Sequence, residues 1–408
     1  MTVVPMLAGR NPLKRALTLW IIVAVVLAVR TLVEPVHHTI FPVLAGSSAH
    51  WWTDQSLYAD YAPLDFFRYP PTFAVVFTPL TALGSRLGGI VWSWLSIGVF
   101  VLGLWRFLRD VAPSSWTPGR EAAFLALGAL GALRGLWNAQ SNALAVGLLL
   151  LAAAALVRRR WRAAAAMLAG SVLLKLTPLA PALLLCMIQP RRLPARFLLF
   201  LGLGLALPFL TRPPDMVANH YREWFYHLAT TGSERWPGFR DAWTVWLVLR
   251  EMLQGRFVAP PLREPVQSWI YRAVQLGTAA AALAWCLWQR RRCDDPRRLT
   301  TLVLAMGLAW LMLFGPAVEF PSYVFLTPVL IWALLEYRGS CRHLVVAAFV
   351  LVMLLGWAPA VTPALLTVLP MGTTLFMCWL IAYGQTNPTP SRKAGKEMAE
   401  RPRLQYAA

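Results

Sequence analysis

Charge is scarce in this chain. Of its 408 residues only 14% are Asp, Glu, Lys or Arg, against about 25% in an ordinary soluble domain. Hydrophobic residues make up 58%. A water-soluble domain of usual size is therefore excluded, and the bilayer is the expected solvent. Lysine is scarcer still: 4 lysines stand against 34 arginines, so a lone lysine in an apolar run is conspicuous. Cysteine is limited to Cys186, Cys286, Cys293, Cys341 and Cys378, with no CxxC pair. That excludes a disulfide framework and a thiolate zinc site, and the five read as small apolar fillers. The 6 histidines form no HExxH, and the adjacent His37 and His38 suit no common helical metal site. No Walker A, GxGxxG or GxSxG segment occurs. Soluble nucleotide chemistry is not expected, and neither a metal nor a cofactor is.

Apolar runs are what the chain has in quantity. A membrane span needs about 20 apolar residues. Twelve spans are expected near 16–33, 88–107, 121–137, 139–157, 161–175, 178–190, 196–211, 266–289, 299–315, 321–337, 343–358 and 364–383. The pair on either side of Lys175–Pro178 is short, and Pro178 and Pro181 predict a break there. The net charge of +20 sits in arginine clusters between runs, the pattern of the positive-inside rule rather than of a nucleic-acid binder. With the N-terminus inside, two separate helices over 161–190 keep every such cluster inside, Arg158–Arg160 and Arg290–Arg292 included. The basic start (Arg10, Lys14, Arg15) ahead of the run from Ala16 reads as an uncleaved signal anchor.

This topology predicts one membrane domain over 1–385, with outer segments 34–87 and 212–265, and a disordered cytoplasmic tail over 386–408. Within the outer segments, 70–84 reads as a re-entrant or interfacial piece and 241–254 as an interfacial amphipathic helix. The alanine runs suit close helix packing. No internal repeat is evident, and a transporter would be expected to show one.

A few polar groups are stranded where hydrocarbon should be, and such groups are kept mainly for function. Asn138, Gln140 and Asn142 mark one helix–helix corner, as binders of sugar hydroxyls or phosphate oxygens or as interhelical glue. Lys175 is the one lysine between residues 15 and 392. It reads as a phosphate partner or as a snorkelling side chain. Glu319 stands at a turn between Pro316 and Pro321 and can pair with Lys175 or Arg68. The first outer segment sets Asp54, Asp60 and Asp65 among aromatics, an arrangement that suits sugar binding or an interfacial belt. The second carries Arg235, Arg240 and Asp241, as phosphate ligands or as loop salt bridges.

Three segments together resemble glycosyltransferase family 87, integral-membrane transferases that take a sugar from a polyprenyl phosphate. They are Phe67-Arg68-Tyr69-Pro70-Pro71 running to Pro79-Leu80 and Leu83, the corner Asn138-Ala139-Gln140-Ser141-Asn142 (with Ala where the family has Gly), and Lys175-Leu176-Thr177-Pro178. The resemblance runs from about residue 16 to 337. It implies an all-α, C-type glycosyltransferase fold and a metal-independent inverting transfer on the outer face of the plasma (inner) membrane, with an aspartate of the first outer loop as base. The family aspartate follows the first span. Here that zone opens on Glu34 and holds no aspartate, so either Glu34 or a histidine replaces it or the base has moved to Asp54. Asp54 and Glu34 are the expected bases, ahead of Asp60 and Asp65, with Glu319 or His38 next. Arg68, Tyr69, Asn138, Gln140, Asn142, Lys175, Arg240 and Glu319 are the expected substrate-binding residues. The expected partners are a polyprenyl-phosphate sugar (mannose or another hexose or pentose), a lipid or glycan acceptor, and membrane lipids, with no nucleic acid. A lipid-linked sugar flippase and a non-catalytic membrane subunit are the rival expectations.

Overall fold

The structure is a computed structural model, and it describes residues 12–59, 61, 66–230, 244–245, 268–315, 318–337, 339–355 and 367–386. Among the described residues the regular elements are helices, with no strand. In chain order they are α1 (Pro12–Val33), α2 (Phe41–Thr53), α3 (Pro71–Ala82), α4 (Gly84–Asp110), α5 (Pro118–Trp137), α6 (Asn142–Val157), α7 (Trp161–Leu174) and α8 (Leu179–Ile188). Then follow α9 (Pro194–Ala206), α10 (Pro214–Thr230), α11 (Ser268–Arg292), α12 (Pro296–Phe314), α13 (Thr327–Glu336), α14 (Arg342–Phe349) and α15 (Val368–Thr386). Three of them, α1, α4 and α12, are long and apolar enough to cross a membrane by length and composition.

The helix starts are written locally. Proline opens α5 and α12, where its missing N–H costs nothing. Thr117 accepts from the Arg120 amide at 3.4 Å, and Asp295 accepts from the Arg297 amide at 2.9 Å, each satisfying an orphan donor. The chain breaks after Leu174, and α8 begins beyond Pro178, so 161–190 forms two half-length helices as its prolines predict.

The structure adds detail to the two outer segments and departs from the expectation in one span. The first outer segment is largely helical, because Pro42 opens α2 and its apolar face (Phe41, Val43, Leu44, Trp51) packs against α3. The 70–84 stretch forms α3, whose 12 residues reach about 18 Å, short of the ~30 Å hydrocarbon core. The second outer segment opens with α10; the helix expected over 241–254 lies outside the described residues, apart from Thr244 and Val245. The run expected over 321–337 is interrupted: Phe320–Phe325 is a 3-10 turn ahead of α13, with Pro321 and Pro328 breaking the ladder.

Two cores share α4. The larger is mostly aliphatic, with aromatics such as Phe100, Phe124 and Trp379 among it, and α4, α6, α7 and α12 all contribute to it. There α4 and α6 touch backbone to backbone: a Cβ on Gly147 would lie 2.6 Å from the Val99 carbonyl, and one on Gly103 would lie 2.6 Å from the Gly147 carbonyl. Small residues permit that approach. The smaller core is aromatic, gathering Phe41, Trp51, Phe67, Phe73, Phe77, Trp92 and Trp224. It ties α2, α3 and α10 onto the first half of α4 and sets the floor of the polar site.

Candidate active site

The residues stranded in the sequence meet in space. Arg68 Nη1 lies 3.2 Å from Glu319 Oε1. Gln140 Nε2 donates to Glu319 Oε2 at 3.0 Å, Asn142 Nδ2 donates to Gln140 Oε1 at 2.6 Å, and Lys175 Nζ donates to Asn142 Oδ1 at 3.0 Å. Four segments far apart in sequence thus form one hydrogen-bonded chain. Asn142 is fully buried, and the Arg68 and Glu319 side chains are 22% and 13% exposed. Burial is tolerated because each charge is partnered and each amide both donates and accepts.

Local backbone aims these groups. Helix α5 ends in a Schellman turn: the Gln140 amide bonds the Gly135 carbonyl at 2.9 Å, and the Ala139 amide bonds the Leu136 carbonyl at 3.1 Å. This turn puts Ala139 at φ +54°, where glycine is favoured. The family pattern has Gly at this place, and the left-handed backbone explains it. Trp92 Nε1 pins the corner by donating to the Ala139 carbonyl at 2.7 Å. Ser141 donates to the Tyr69 hydroxyl at 3.3 Å. Lys175 caps α7 in extended backbone (φ −160°, ψ 133°), which turns its side chain off the helix axis toward the start of α6. The Trp224 indole of α10 donates to the Arg68 carbonyl at 3.2 Å, so the second outer segment helps hold the first.

This chain closes one end of a cavity of about 890 Å³. Arg68, Tyr69, Gln140, Lys175 and Glu319 line the polar end, and the walls are apolar. Three wall residues, Leu183, Leu198 and Leu276, are 47%, 62% and 70% exposed on the outer surface, so the cavity reaches the flank of the helix bundle. Two cations against one carboxylate leave the polar end with one net positive charge.

The remaining expected residues lie elsewhere. Asn138 enters through its backbone: its carbonyl accepts from the Ile40 amide at 3.0 Å. Asp54 caps α2 in left-handed backbone (φ 58°) and is exposed. Glu34 is exposed and sits 3.3 Å from His37 Nδ1. Neither acid lines the cavity. Asp60, Asp65, Arg235, Arg240 and Asp241 lie outside the described residues. Around Asp54, a polar cluster joins α2 to α10. Ser56 donates to Glu223 at 2.9 Å, and Tyr61 meets His50 Nδ1 at 3.2 Å. Burial holds His220 below its usual 6.5, opposed by Glu223 and Asp54. Burial also raises Tyr61 to about 12. Three supports were missed in sequence reading: Trp92, Trp224 and Gln275, the last on the cavity wall and donating to the Phe314 carbonyl at 2.7 Å. Nothing in a lone aromatic or glutamine of an apolar run separates a support from ordinary core.

Apolar helices around a lateral, mostly apolar cavity with a cationic polar end are those of an integral membrane protein. The family model for glycosyltransferase family 87 matches residues 66–316. The chain belongs to that family and is a membrane glycosyltransferase. Among solved structures it is similar to ArnT from Cupriavidus metallidurans bound to undecaprenyl phosphate, at 17% identity and TM-score 0.41 over 91% of this chain and 77% of that one. The apo form of the same protein gives 16% identity and TM-score 0.40 over the same shares. No curated protein matches the chain.

Proposed function

We propose that the protein transfers a sugar from a polyprenyl-phosphate donor to a lipid or glycan acceptor, at the extracytoplasmic face of the plasma (inner) membrane. It would sit there as a multi-pass protein of the C-type fold. One observation carries this reading: an apolar cavity that opens on the flank of the bundle ends in Arg68, Gln140, Lys175 and Glu319, with Asn142 buried behind them and joining Gln140 to Lys175. A prenyl chain fits the walls, and its phosphate fits the cationic end.

The charge count supports the direction of the chemistry. A sugar-bearing lipid phosphate is a diester with one negative charge, matching the site's net charge of one. As the bond between the anomeric carbon and the phosphate oxygen breaks, the lipid phosphate leaves with the electron pair and its charge rises toward two. A cationic site therefore stabilises the leaving group more than the donor, which is the condition for a faster step. Gln140, held in place by Asn142, orients the sugar. The acceptor hydroxyl attacks the anomeric carbon and gives its proton to a carboxylate. Among the described acids Glu319 is the one that borders the cavity. That geometry puts it ahead of Asp54 and Glu34, which stand on the sequence alone. Mannose is the first sugar to try.

The test supplies purified protein, in lipid nanodiscs, with labelled polyprenyl-phosphate mannose and other polyprenyl-phosphate hexoses and pentoses. Sugar transfer or hydrolysis is expected. Alanine at Glu319, Asp54, Glu34, Asp60 and Asp65, assayed at saturating donor, ranks the bases by turnover. Donor binding without turnover from any of these sugars would overturn the enzymatic reading in favour of a lipid-linked sugar flippase.

A further inference from the structure

The opposite ends of α6, α7 and α8 carry a second site. Asn142 opens α6 and Arg158 caps its other end; 16 residues separate the two faces by about 24 Å. There a groove of about 550 Å³ is lined by Arg159, Arg191, Arg192, Arg290 and Trp161. The arginines come from three connections: the α6–α7 corner, the α8–α9 turn and the end of α11. Among the described residues these four arginines enter neither of the arginine–carboxylate pairs Arg68–Glu319 and Arg158–Asp110. Arg192 lies over the Trp161 ring at 5.4 Å, an aromatic at the level where interfacial rings sit. Adjoining the groove, a chamber of about 280 Å³ has Leu156, Val157, Ile188 and Leu299 on one part of its wall and Asp294 and Thr300 on another, and shares Arg159, Trp161, Gln189 and Arg290 with the groove.

The backbone gives a further sign of selection. The α6–α7 corner is another Schellman turn, with the Arg160 amide on the Ala155 carbonyl at 2.8 Å and the Arg159 amide on the Leu156 carbonyl at 3.0 Å. It holds Arg159 at φ +59°, where glycine is the residue of least strain. A long cation kept in left-handed backbone, beside three other arginines of which Arg290 donates to the Met187 carbonyl at 3.4 Å and Arg192 lies over Trp161, keeps like charges together where an anion would lower their repulsion.

We infer that this groove binds the phosphate headgroup of an anionic membrane lipid, with the start of an acyl chain along the Leu156, Val157, Ile188 and Leu299 wall, in the leaflet opposite the transfer site. Guanidinium forks match phosphate oxygens two at a time. Basic pockets between helices at a membrane surface take such headgroups. The inference stands independently of the transferase chemistry.

The experiment measures lipid retention by the full chain using native mass spectrometry, with phosphatidylglycerol against phosphatidylcholine. Wild type is expected to retain phosphatidylglycerol selectively. Arg159→Gln/Arg191→Gln/Arg192→Gln/Arg290→Gln should weaken it about tenfold or more. A control that removes the same charge elsewhere, Arg106→Gln/Arg109→Gln/Arg120→Gln/Arg342→Gln, should hold within about twofold. Arg159→Gly separates binding from folding: it relieves the strained backbone, so the melting temperature in phosphatidylcholine should hold or rise while phosphatidylglycerol retention falls. Equal losses in the two quadruple variants would overturn the site. So would full retention in Arg159→Gly, or displacement of the lipid by millimolar glycerol 3-phosphate, which would make the groove a site for soluble phosphate esters.

Discussion

The two corners that bracket α6 use the same backbone turn for opposite chemistry. At 138–142 a Schellman turn with a left-handed Ala139 leads into buried amides that join Lys175 to Glu319. At 158–160 the same turn, with a left-handed Arg159, leads into exposed arginines. The difference is one of solvent. Inside the cavity a charge without a partner is costly, so cations, a carboxylate and amides occur together in a closed chain. At the wet end water and salt screen like charges, so Arg159, Arg191, Arg192 and Arg290 can crowd on one groove while the carboxylate of Asp110 lies against their neighbour Arg158. The buried site partners its charges within itself, and the surface one leaves an excess of arginine.

Four changes would break or sharpen that contrast. Removing a charge inside the closed chain should cost most. Glu319→Ala leaves the Arg68 guanidinium without its carboxylate, and breaking a buried pair costs about 3–5 kcal/mol. Partial exposure of both side chains places the expectation at the lower end. Thermal unfolding in a fixed lipid composition measures it, and a loss no larger than that of a surface Arg→Ala would erase the distinction between the corners. Lys175→Ala should reduce turnover of the polyprenyl-phosphate donor by about 100-fold or more, the scale of losing one preorganised stabiliser of a developing charge. Lys175→Arg should recover part of it, since a planar fork replaces a point charge. Unchanged donor use in the alanine variant would return Lys175 to a snorkelling role.

Ala139→Gly tests the turn itself. Relief of left-handed strain, offset by the greater freedom of glycine when unfolded, should add up to about 1 kcal/mol. The polar chain and its activity should stay intact, and chemical denaturation followed by tryptophan fluorescence gives the sign. The smallest effect belongs to α10, beside the buried corner. Burial holds His220 below 6.5 against the pull of Glu223 and Asp54. The unfolded chain therefore takes up this proton first as pH falls, and stability should decline below about pH 6.5 rather than above it. His220→Asn should flatten that slope in melting curves between pH 8 and pH 5. An unchanged slope would assign it to other groups.

Much of the architecture was legible because the bilayer writes it in coarse symbols. Apolar runs, arginine links and prolines at 178 and 181 announced an all-helical membrane protein with a break after Lys175. Lys175 and Glu319 stood out as rare types in the wrong solvent, and the amides as a dense cluster. The helices of the outer segments were less legible. The packing of α2 and α3 rests on aromatic contacts among residues that read equally well as an interfacial belt. The acids followed the same division: Glu34 and Asp54 were conspicuous in sequence, yet neither lines the cavity, since proximity along the chain to a first span does not determine proximity in space.

The sequence by itself determined which side chains could not be left in hydrocarbon alone. Only the tertiary structure decided how they partner: Arg68 with Glu319 across 251 positions, and Lys175 with Asn142 across 33. The left-handed Ala139 turns the corner that presents Gln140 and Asn142, and Gly103 and Gly147 let α4 and α6 come into backbone contact behind it. Composition reports the cost of burying a charge, whereas the geometry of several distant segments determines what offsets it.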